Sequence, residues 1–408
     1  MNVRFMQQVD SIVGPILCFG LTLFDGLTRS LRVSPTKSPK RFLFIELSEM
    51  GSAILAYPSL AHLSQSHNIA KQDMYFLIFR SNAESVNLLE FLPPENILTI
   101  DSHSFTAFCI SSLQTLWKIR KLKIDVVFDL ELFSRATAIL SYLSGADFRV
   151  GFHNFTEEGL YRGNLLTHRV TYNPFVHISK NFLALVQEFN DSKLNLIEPG
   201  PKLAPIEISY PLPRPSYLSH SSEALRALSQ ERTPIILIQP HPGDLPLRGW
   251  PTHYYTSLCE QILNRFPTAQ IGLVGLESAR SLHSQILQTF KNDAPIIDLA
   301  GKTATLKELV ALIEYADCFI ASDSGPAHFS SLTNTPRVIF YGPESPQRYA
   351  PLGGSLSVLH HPVHCSPCFS AHNHRRSLCT NNQCMQQIQP SSAFTVVEKI
   401  LSNLEDSK

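Results

Sequence analysis

The chain has 408 residues, of which 44% are hydrophobic and 17% charged, a composition that excludes an intrinsically disordered protein. Lysine and arginine together number 34, as do aspartate and glutamate, so the formal net charge is zero and no general attraction to nucleic acid follows. This length exceeds what one hydrophobic core usually supports, which favours two domains.

The N-terminal segment is the one membrane-like feature of the sequence. Residues 12–24 are strongly apolar but shorter than the ~20 residues of a spanning helix, and no signal-peptide cleavage site follows them. Three alternatives stay open: a helix buried in the protein, an interfacial anchor, and a true span. We favour the anchor, which predicts a cytoplasmic protein held peripherally on the inner face of the cytoplasmic membrane. Its flank would contact anionic lipid through Arg29, Arg32, Lys37, Lys40 and Arg41.

After a linker that ends near residue 40, short apolar runs alternate with helical patterns. This alternation predicts a parallel sheet with helices on both faces, in a domain of residues 41–205. The predicted strands are 41–45, 74–79, 96–100, 125–130 and 149–152, and the predicted helices are 53–63, 83–91, 105–122 and 134–144.

A proline-rich stretch at 198–215 predicts a domain boundary near 190–230, and the same alternation then restarts. The second domain spans 230–390, and 391–408 forms a C-terminal helix. The sequence therefore predicts an α/β protein with two Rossmann-like domains facing across a cleft, preceded by an apolar N-terminal helix. The second set of strands is 234–239, 270–274, 295–298, 318–321 and 336–341, and its helices are 221–229, 252–265, 278–290, 306–314 and 328–333.

A strand, a polar turn and a helix start follow one another at residues 318–328. Pro326 suits the first position of a helix, and Gly325 allows a ligand to approach the backbone closely. Free N–H groups at such a helix start can bind a diphosphate, and His328 lies in the first turn beside them. The alternative is an ordinary turn in which Asp323 only caps the helix.

Beyond this turn, the sequence of the second half resembles the ADP-heptose:lipopolysaccharide heptosyltransferase family, glycosyltransferase family 9. This chain would be a divergent member of that family. The resemblance covers roughly residues 41–405 and implies a GT-B fold. It also implies an inverting, metal-independent transfer of a sugar, by family default heptose from ADP-heptose, to a lipopolysaccharide-core or lipid-linked glycan. The runs that carry it are 298–303, 306–309, 323–328 and 335–348.

The resemblance also implies the residues of the donor site. Residues 240–250 resemble the family's phosphate loop, in which Arg248 replaces a lysine and keeps its positive charge. Glu277 stands where the family often holds the nucleoside, although a surface glutamate is the alternative there. The donor's diphosphate and ribose would contact Asp323, Ser324, Gly325 and His328.

The catalytic base departs from the family pattern. The family carries a Gly-Asp pair whose aspartate is thought to act as the base, whereas this chain has Gly51 and Ser52. A serine cannot serve as a base unaided. We propose Glu49 as the replacement, with Glu46 as second candidate; the alternative is that both only cap the turn or bind acceptor sugars.

Acidic residues follow another predicted strand of the first domain. We expect Asp129 and Glu131 to contact the acceptor together with Gly51 and Ser52, and the alternative is a helix cap that pairs with Arg135.

Four of the eight cysteines cluster at Cys365, Cys368, Cys379 and Cys384. Their spacing is compatible with a structural zinc ion, with one or two disulfides, or with free thiols. No cofactor is expected to take part in catalysis.

Two other function classes remain for the whole chain. One is a nucleotide-sugar 2-epimerase, which has the same architecture but needs no acceptor. The other is a catalytically silent nucleotide-sugar-binding protein, which Ser52 suggests.

Overall fold

The computed structural model describes residues 3–28, 38–153, 160–191, 210–219, 222–228, 234–243, 245–373 and 375–406. The chain forms two compact units, one of Met1–Pro211 with Ala371–Arg375 and one of Leu212–Ser370 with Arg376–Lys408. Residues 205 and 230, where we place the end of the first domain and the start of the second, lie outside the described residues.

The first unit is a doubly wound α/β sheet. Its described strands are all parallel and lie in the order β3-β2-β1-β4-β5-β6, the strand order of a Rossmann fold. In chain order the elements are α1 (Val3–Thr28), β1 (Phe42–Ile45), α2 (Met50–Leu55), α3 (Tyr57–Ser66), β2 (Met74–Phe79), α4 (Ala83–Asn87), β3 (Ile97–Ile100), α5 (Phe105–Leu122), β4 (Val126–Asp129), α6 (Arg135–Leu143), β5 (Phe148–His153), β6 (His168–Thr171) and α7 (Ile178–Asp191).

The second unit repeats this topology. Its strands lie in the order β12-β11-β10-β7-β8-β9, which is the same winding read from the other edge. The elements are α8 (Glu223–Ala227), β7 (Ile235–Gln239), α9 (Thr252–Arg265), β8 (Gln270–Leu273), α10 (Arg280–Leu287), β9 (Ile296–Asp298), α11 (Leu306–Tyr315), β10 (Cys318–Ser322), α12 (Gly325–Phe329), β11 (Arg337–Tyr341), α13 (Pro346–Tyr349), β12 (Leu356–His360), α14 (Gln383–Gln386) and α15 (Pro390–Asp406).

The central strands are apolar runs because both faces of each sheet are covered. Every residue of β1, β2, β4, β7, β10 and β11 is buried, as expected for parallel strands between two helical layers. The edge strands β6 and β12 are partly exposed and carry polar residues, so neither formed a recognisable apolar run in the sequence.

Several helices differ from their predicted bounds or were missed, and three cases show why. The predicted helix 53–63 is two helices, α2 and α3, with Pro58 in the first turn of the second. Helix α12 begins at Gly325 rather than His328, since Pro326 starts a helix well. Helix α7 was missed, although its buried Ile178, Phe182 and Val186 recur at helical spacing.

One side of helix α1 packs against the rest of the first unit. The Asp10 carboxylate accepts hydrogen bonds from the backbone N–H groups of Arg135 (3.0 Å) and Ala136 (2.9 Å) at the start of α6. Thr22 Oγ1 accepts from the Asn164 N–H at 2.9 Å, and Cys18 is fully buried. This side of α1 is therefore a tightly fitted structural contact.

The other side of α1 is apolar and exposed. Residues 8–28 of this helix form a segment long and apolar enough to cross a membrane, by length and composition only. The alternative of a buried N-terminal helix is therefore wrong. Arg29, Arg32 and Lys37 of the predicted basic flank lie outside the described residues. The large exposed side chains include Ile12, Ile16, Phe19, Leu23, Phe24 and Leu27.

Candidate functional site

Each unit has a topological switch point, where the winding of the sheet changes direction. In the first unit it lies between β1 and β4, and in the second between β7 and β10. Ligands of open α/β sheets bind outside the carboxyl ends of the strands at such points. The segments after Ile45 and Asp129 in one unit, and after Gln239 and Ser322 in the other, are therefore the candidate sites.

The switch point of the second unit carries an arginine–aspartate pair. Arg248 lies on a short 3₁₀ helix in the loop after β7, and its Nε is 3.1 Å from Asp323 Oδ2. Both side chains are mostly buried, and the guanidinium carbon lies 5.9 Å from the centre of the Phe369 ring. The structure thus brings together two residues that are 75 positions apart, as predicted.

The other predicted donor residues surround this pair. His328 Nε2 lies 3.9 Å from Asp323 Oδ1, and the Ser324 hydroxyl donates to Gln239 Oε1 at 3.3 Å. Gln239 in turn donates to the carbonyl of His241 at 2.5 Å. Gln239 joins the strand end of β7 to that of β10, a role that its position at the end of an apolar run did not reveal.

The turn between β10 and α12 stays open to a ligand. Gly325 and Pro326 are partly exposed, whereas Asp323, Ser324 and His328 are buried beneath them. A helix start provides N–H groups that have no acceptor within the helix. The site can therefore offer an anion a guanidinium, an imidazole and backbone donors.

Glu277 lies at the carboxyl end of the neighbouring strand β8 and is well exposed. Arg280 donates to both of its carboxylate oxygens, at 2.6 Å and 2.8 Å, and these hydrogen bonds lower the pKa of Glu277. Arg280 also lies 3.2 Å from Asp298, whose other oxygen contacts the buried His283 at 2.6 Å. This network fixes the orientation of the loop that carries Glu277, and neither Arg280 nor His283 was predicted.

The switch point of the first unit is crowded with carboxylates. Glu46, at the end of β1, is almost fully buried, and burial followed by the charges of Glu131 and Glu49 raises its pKa well above the ordinary value. Glu131 accepts hydrogen bonds at 2.9 Å from the backbone N–H groups of Leu47 and Ser48. Burial nevertheless raises the pKa of Glu131 to about 7. Burial therefore favours the protonated form of both groups relative to an exposed carboxyl.

Glu49 differs from them because it has a cationic partner. It is the N-cap residue of α2, and its two oxygens are engaged separately. Oε2 accepts from the Ser52 hydroxyl at 2.8 Å, and Oε1 pairs with the Arg375 guanidinium. Ser52, which stands where the family carries its aspartate, thus binds directly to the proposed replacement base.

Arg375 belongs to a segment, residues 371–375, that packs into the first unit although it comes late in the chain. The His372 ring stacks on Phe133 with centroids 5.4 Å apart and also meets the Tyr172 ring. Arg375 and Glu49 are 326 positions apart, and no local pattern pointed to their contact.

Asp129 does not contact an acceptor, and this expectation is wrong. Its side chain is fully buried and forms an ion pair with the equally buried Arg162, which also donates to Thr137 at 3.1 Å. Burial raises the pKa of Asp129 against the effect of Arg162. The predicted pairing of Arg135 is also different, because its partner is Asp10 of α1. Glu131 and the partly exposed Gly51 remain at the site.

The four clustered cysteines form no disulfide in the described part of the chain, so the disulfide alternative is not realised there. Burial raises the pKa of the Cys384 thiol to about 11, and the neighbouring thiols of Cys368, Cys379 and Cys365 contribute to that increase. Among the described residues, no three His, Cys, Asp or Glu side chains converge in an arrangement that would hold a metal ion. His374, between the two cysteine pairs, lies outside those residues.

Comparison with known proteins points to one family. Residues 115–378 match the model of glycosyltransferase family 9 (heptosyltransferase). A lipopolysaccharide core heptosyltransferase of Haemophilus influenzae is 25% identical over 329 residues, which are 79% of this chain and 85% of that protein. Lipopolysaccharide heptosyltransferase 3 of Escherichia coli is 48% identical over 48 residues, 12% of this chain and 14% of that protein.

Solved structures of heptosyltransferases share the fold. ADP-heptose lipopolysaccharide heptosyltransferase II of E. coli aligns with a TM-score of 0.64 at 20% identity, over 90% of this chain and 99% of that one. An E. coli heptosyltransferase solved with ADP-2-deoxy-2-fluoro heptose aligns with a TM-score of 0.61 at 13% identity, over 88% and 99%. The predicted GT-B fold with its two Rossmann-like units is confirmed.

Proposed function

We propose, since this chain belongs to glycosyltransferase family 9 (heptosyltransferase), that it transfers heptose from ADP-heptose to a lipopolysaccharide core acceptor. The donor is that of the E. coli heptosyltransferases to which the chain is similar, and the acceptor is that of its H. influenzae relative. The observation that carries the proposal is the grouping of Arg248, Asp323 and His328 at a switch point, within the matched residues.

The donor diphosphate would lie against the turn that starts α12. Arg248 can donate two parallel hydrogen bonds to phosphate oxygens, and charge-assisted bonds of this kind are about twice as strong as neutral ones. His328 and the first N–H groups of the helix would bind the remaining oxygens. Asp323 fixes the guanidinium from behind, and Glu277 would bind the nucleoside. When the bond between the sugar and the diphosphate breaks, these groups stabilise the negative charge of the departing ADP.

We propose Glu49 as the base that removes the proton of the acceptor hydroxyl. Burial raises the pKa of Glu46 and of Glu131, which favours their neutral forms over the carboxylate that a base requires. Glu49 has Arg375 beside it, and a cation favours the ionised form of a neighbouring carboxyl. Ser52 orients the second oxygen. A carboxylate oxygen has two acceptor positions, so both contacts leave room for the substrate proton.

The reaction then proceeds by one displacement. The acceptor oxygen loses its proton to Glu49 and attacks the anomeric carbon from the side opposite the diphosphate. The bond between that carbon and the diphosphate oxygen breaks, and ADP carries away the electron pair. The configuration at the anomeric carbon inverts, and no metal ion is required to balance the charge if Arg248 and His328 do so.

We propose that the enzyme works at the inner face of the cytoplasmic membrane, held there by α1. The exposed apolar side of that helix supports this location, because an interfacial helix buries such a side among the lipids. A structural zinc at Cys365, Cys368, Cys379 and Cys384 stays a prediction. Metal analysis of protein purified without chelators should find one zinc per chain, and protein that is folded and metal-free would contradict it.

The central test is a transfer assay with purified full-length protein, ADP-heptose and a lipopolysaccharide core acceptor that lacks heptose. We expect ADP release only when the acceptor is present, unchanged by EDTA, with a product of inverted configuration by NMR. ADP should raise the melting temperature more than UDP or GDP does. Conversion of the nucleotide sugar without acceptor would indicate an isomerase. Tight donor binding with no transfer to any acceptor would indicate a silent binding protein.

A further inference from the structure

Helix α5 exposes several large apolar side chains and buries two polar ones, which is unusual for a helix on the surface of a soluble protein. Its buried positions include Ser111 and Thr115, while Ile110, Leu113 and Trp117 face outward. The side chains of Leu113 and Trp117 are 69% and 62% exposed. A surface helix normally presents charged and polar residues to water, so this side is suited to an apolar partner.

The polar side chains on the inner side of α5 form hydrogen bonds with the neighbouring backbone. Thr115 donates to the carbonyl of Thr99 at 2.9 Å, and Ser111 accepts from the Asp101 N–H at 2.9 Å. Both therefore fix the helix to the end of strand β3 and the loop after it. Because the inner side is occupied in this way, rotating the helix to bury Leu113 and Trp117 would break these bonds.

The outer side of α5 continues into the exposed side of α1. The Phe5 ring of α1 meets the Phe105 ring at the start of α5, edge to face, with centroids 6.3 Å apart. Met6 of α1 packs with Phe108 against the same buried cluster. The two helices therefore touch at one end, and both present large apolar side chains to the outside of the same unit.

Positive charge concentrates at the other end of α5. Lys118, Arg120, Lys121 and Lys123 follow or flank Trp117, and the segment 105–123 contains no acidic residue. The Lys121 ammonium lies 3.4 Å from the centre of the Trp117 ring, and Lys118 borders the shallow hollow beside Leu113. A tryptophan with adjacent lysines is typical of the boundary between hydrocarbon and anionic headgroups.

We propose that α5 is a second membrane-binding element, which inserts Leu113 and Trp117 into an anionic bilayer while Lys118 and Lys121 contact lipid phosphates. The inference rests on the membrane location proposed above for α1 and adds an orientation to it. A single helix leaves the enzyme free to swivel, whereas two touching elements fix which side of the first unit faces the lipid.

The two tryptophans of the chain make this directly measurable. Trp250 is buried and packs against Tyr255 and Phe340, so it provides a constant internal signal, whereas Trp117 is exposed. Full-length protein is mixed with phosphatidylcholine vesicles with or without phosphatidylglycerol. We expect a blue shift of the emission with the anionic vesicles, and quenching when brominated lipids are included. The Trp117→Phe variant should bind the vesicles but lose both signals.

Binding strength gives a second measurement. Lys118→Gln with Lys121→Gln should weaken binding to anionic vesicles roughly tenfold or more, with little change on neutral ones, since each surface lysine contributes measurably to anionic lipid binding. Leu113→Ser should weaken binding to both. Leu378→Ser removes a leucine of the second unit that is even more exposed than Leu113 and serves as the control, with no effect expected.

Three outcomes would overturn the proposal. The first is protein that sediments with vesicles while Trp117 stays unshifted and unquenched, which would leave α1 as the membrane contact. The second is a full-length chain that does not bind anionic vesicles at all. The third is a blue shift of Trp117 that follows protein concentration without lipid, which would mark α5 as a contact between two copies. None of these depends on sugar transfer, so they are distinguishable from a failure of the proposed activity.

Discussion

The two switch points of this protein have the same topology and opposite chemistry. In the second unit an arginine and a histidine gather around one aspartate, whereas in the first unit Glu46, Glu49 and Glu131 lie close together and Glu49 pairs with an arginine. The same winding of strands therefore carries a cation-rich turn in one unit and a carboxylate cluster in the other. This difference supports the anion site and the proton acceptor proposed above.

Each unit also contains an aspartate–arginine pair, and the two pairs differ. In each unit an aspartate at the carboxyl end of β4 or β10 is paired with an arginine. Asp129 pairs with Arg162, and Asp323 pairs with Arg248. The first pair is enclosed completely, so it holds the sheet and its helices together. The second lies at the edge of an open turn, where the arginine can also reach a ligand. The two pairs differ in burial, and this difference supports a structural role for the first and the proposed binding role for the second.

The largest effect should come from removing the base of the first unit. Glu49→Gln keeps the shape and the Ser52 hydrogen bond but cannot accept a proton. We expect kcat to fall on the order of 10³- to 10⁴-fold, which is the range of general base catalysis, with ADP affinity unchanged. Steady-state transfer kinetics and calorimetric ADP titration would measure the two quantities. Glu46→Gln is the control, and a larger loss there than at Glu49 would transfer the role to Glu46.

The buried pair of the first unit should matter for stability. Arg162→Met leaves the Asp129 charge buried without a partner, and we expect it to lower the free energy of unfolding by about 3–5 kcal/mol in urea titrations. The double variant with Asp129→Asn removes both charges and should recover most of that loss. If the single variant were as stable as the parent, Asp129 would have to be neutral or solvated, and it would return as a candidate acceptor residue.

The pair of the second unit should matter for binding instead. Arg248→Met combined with Asp323→Asn removes the cation without leaving a lone buried carboxylate. We expect ADP to bind roughly 10²-fold more weakly, with the acceptor KM unchanged. Arg248→Lys restores the charge but not the forked geometry, and it should recover part of the affinity. Unchanged ADP affinity in the double variant would place the diphosphate elsewhere.

The smallest effect is a pH dependence that only the first unit should show. The pKa of Glu131 is about 7 in the folded protein against an ordinary value of 4.5, so the folded state binds the proton more tightly. The stabilising contribution of Glu131 should therefore fall as the pH rises from 4.5 to 7, by at most about 3 kcal/mol. Glu131→Gln should remove this part of the decline and leave the part that comes from Glu46, whose pKa burial also raises. Urea titrations at several pH values measure it, and an equal slope in both proteins would show that Glu131 ionises normally.

The sequence by itself determined most of the fold. Ten of the described strands were predicted, and the central ones were the clearest, because strands covered on both faces are apolar along most of their length. The donor-side turn was also readable, since Pro326, Gly325 and the residues around them are neighbours in the chain. Strands β6 and β12 were not predicted, because these partly exposed edge strands carry polar residues and form no apolar run.

Only the tertiary structure decided the rest. Whether Asp129 faces a ligand or Arg162 depends on a contact across 33 residues, and the Glu49–Arg375 pair joins residues 326 apart. A carboxylate looks the same in a sequence whether it is buried, paired or exposed. Its pKa and its role follow from the charges and the solvent that folding brings next to it.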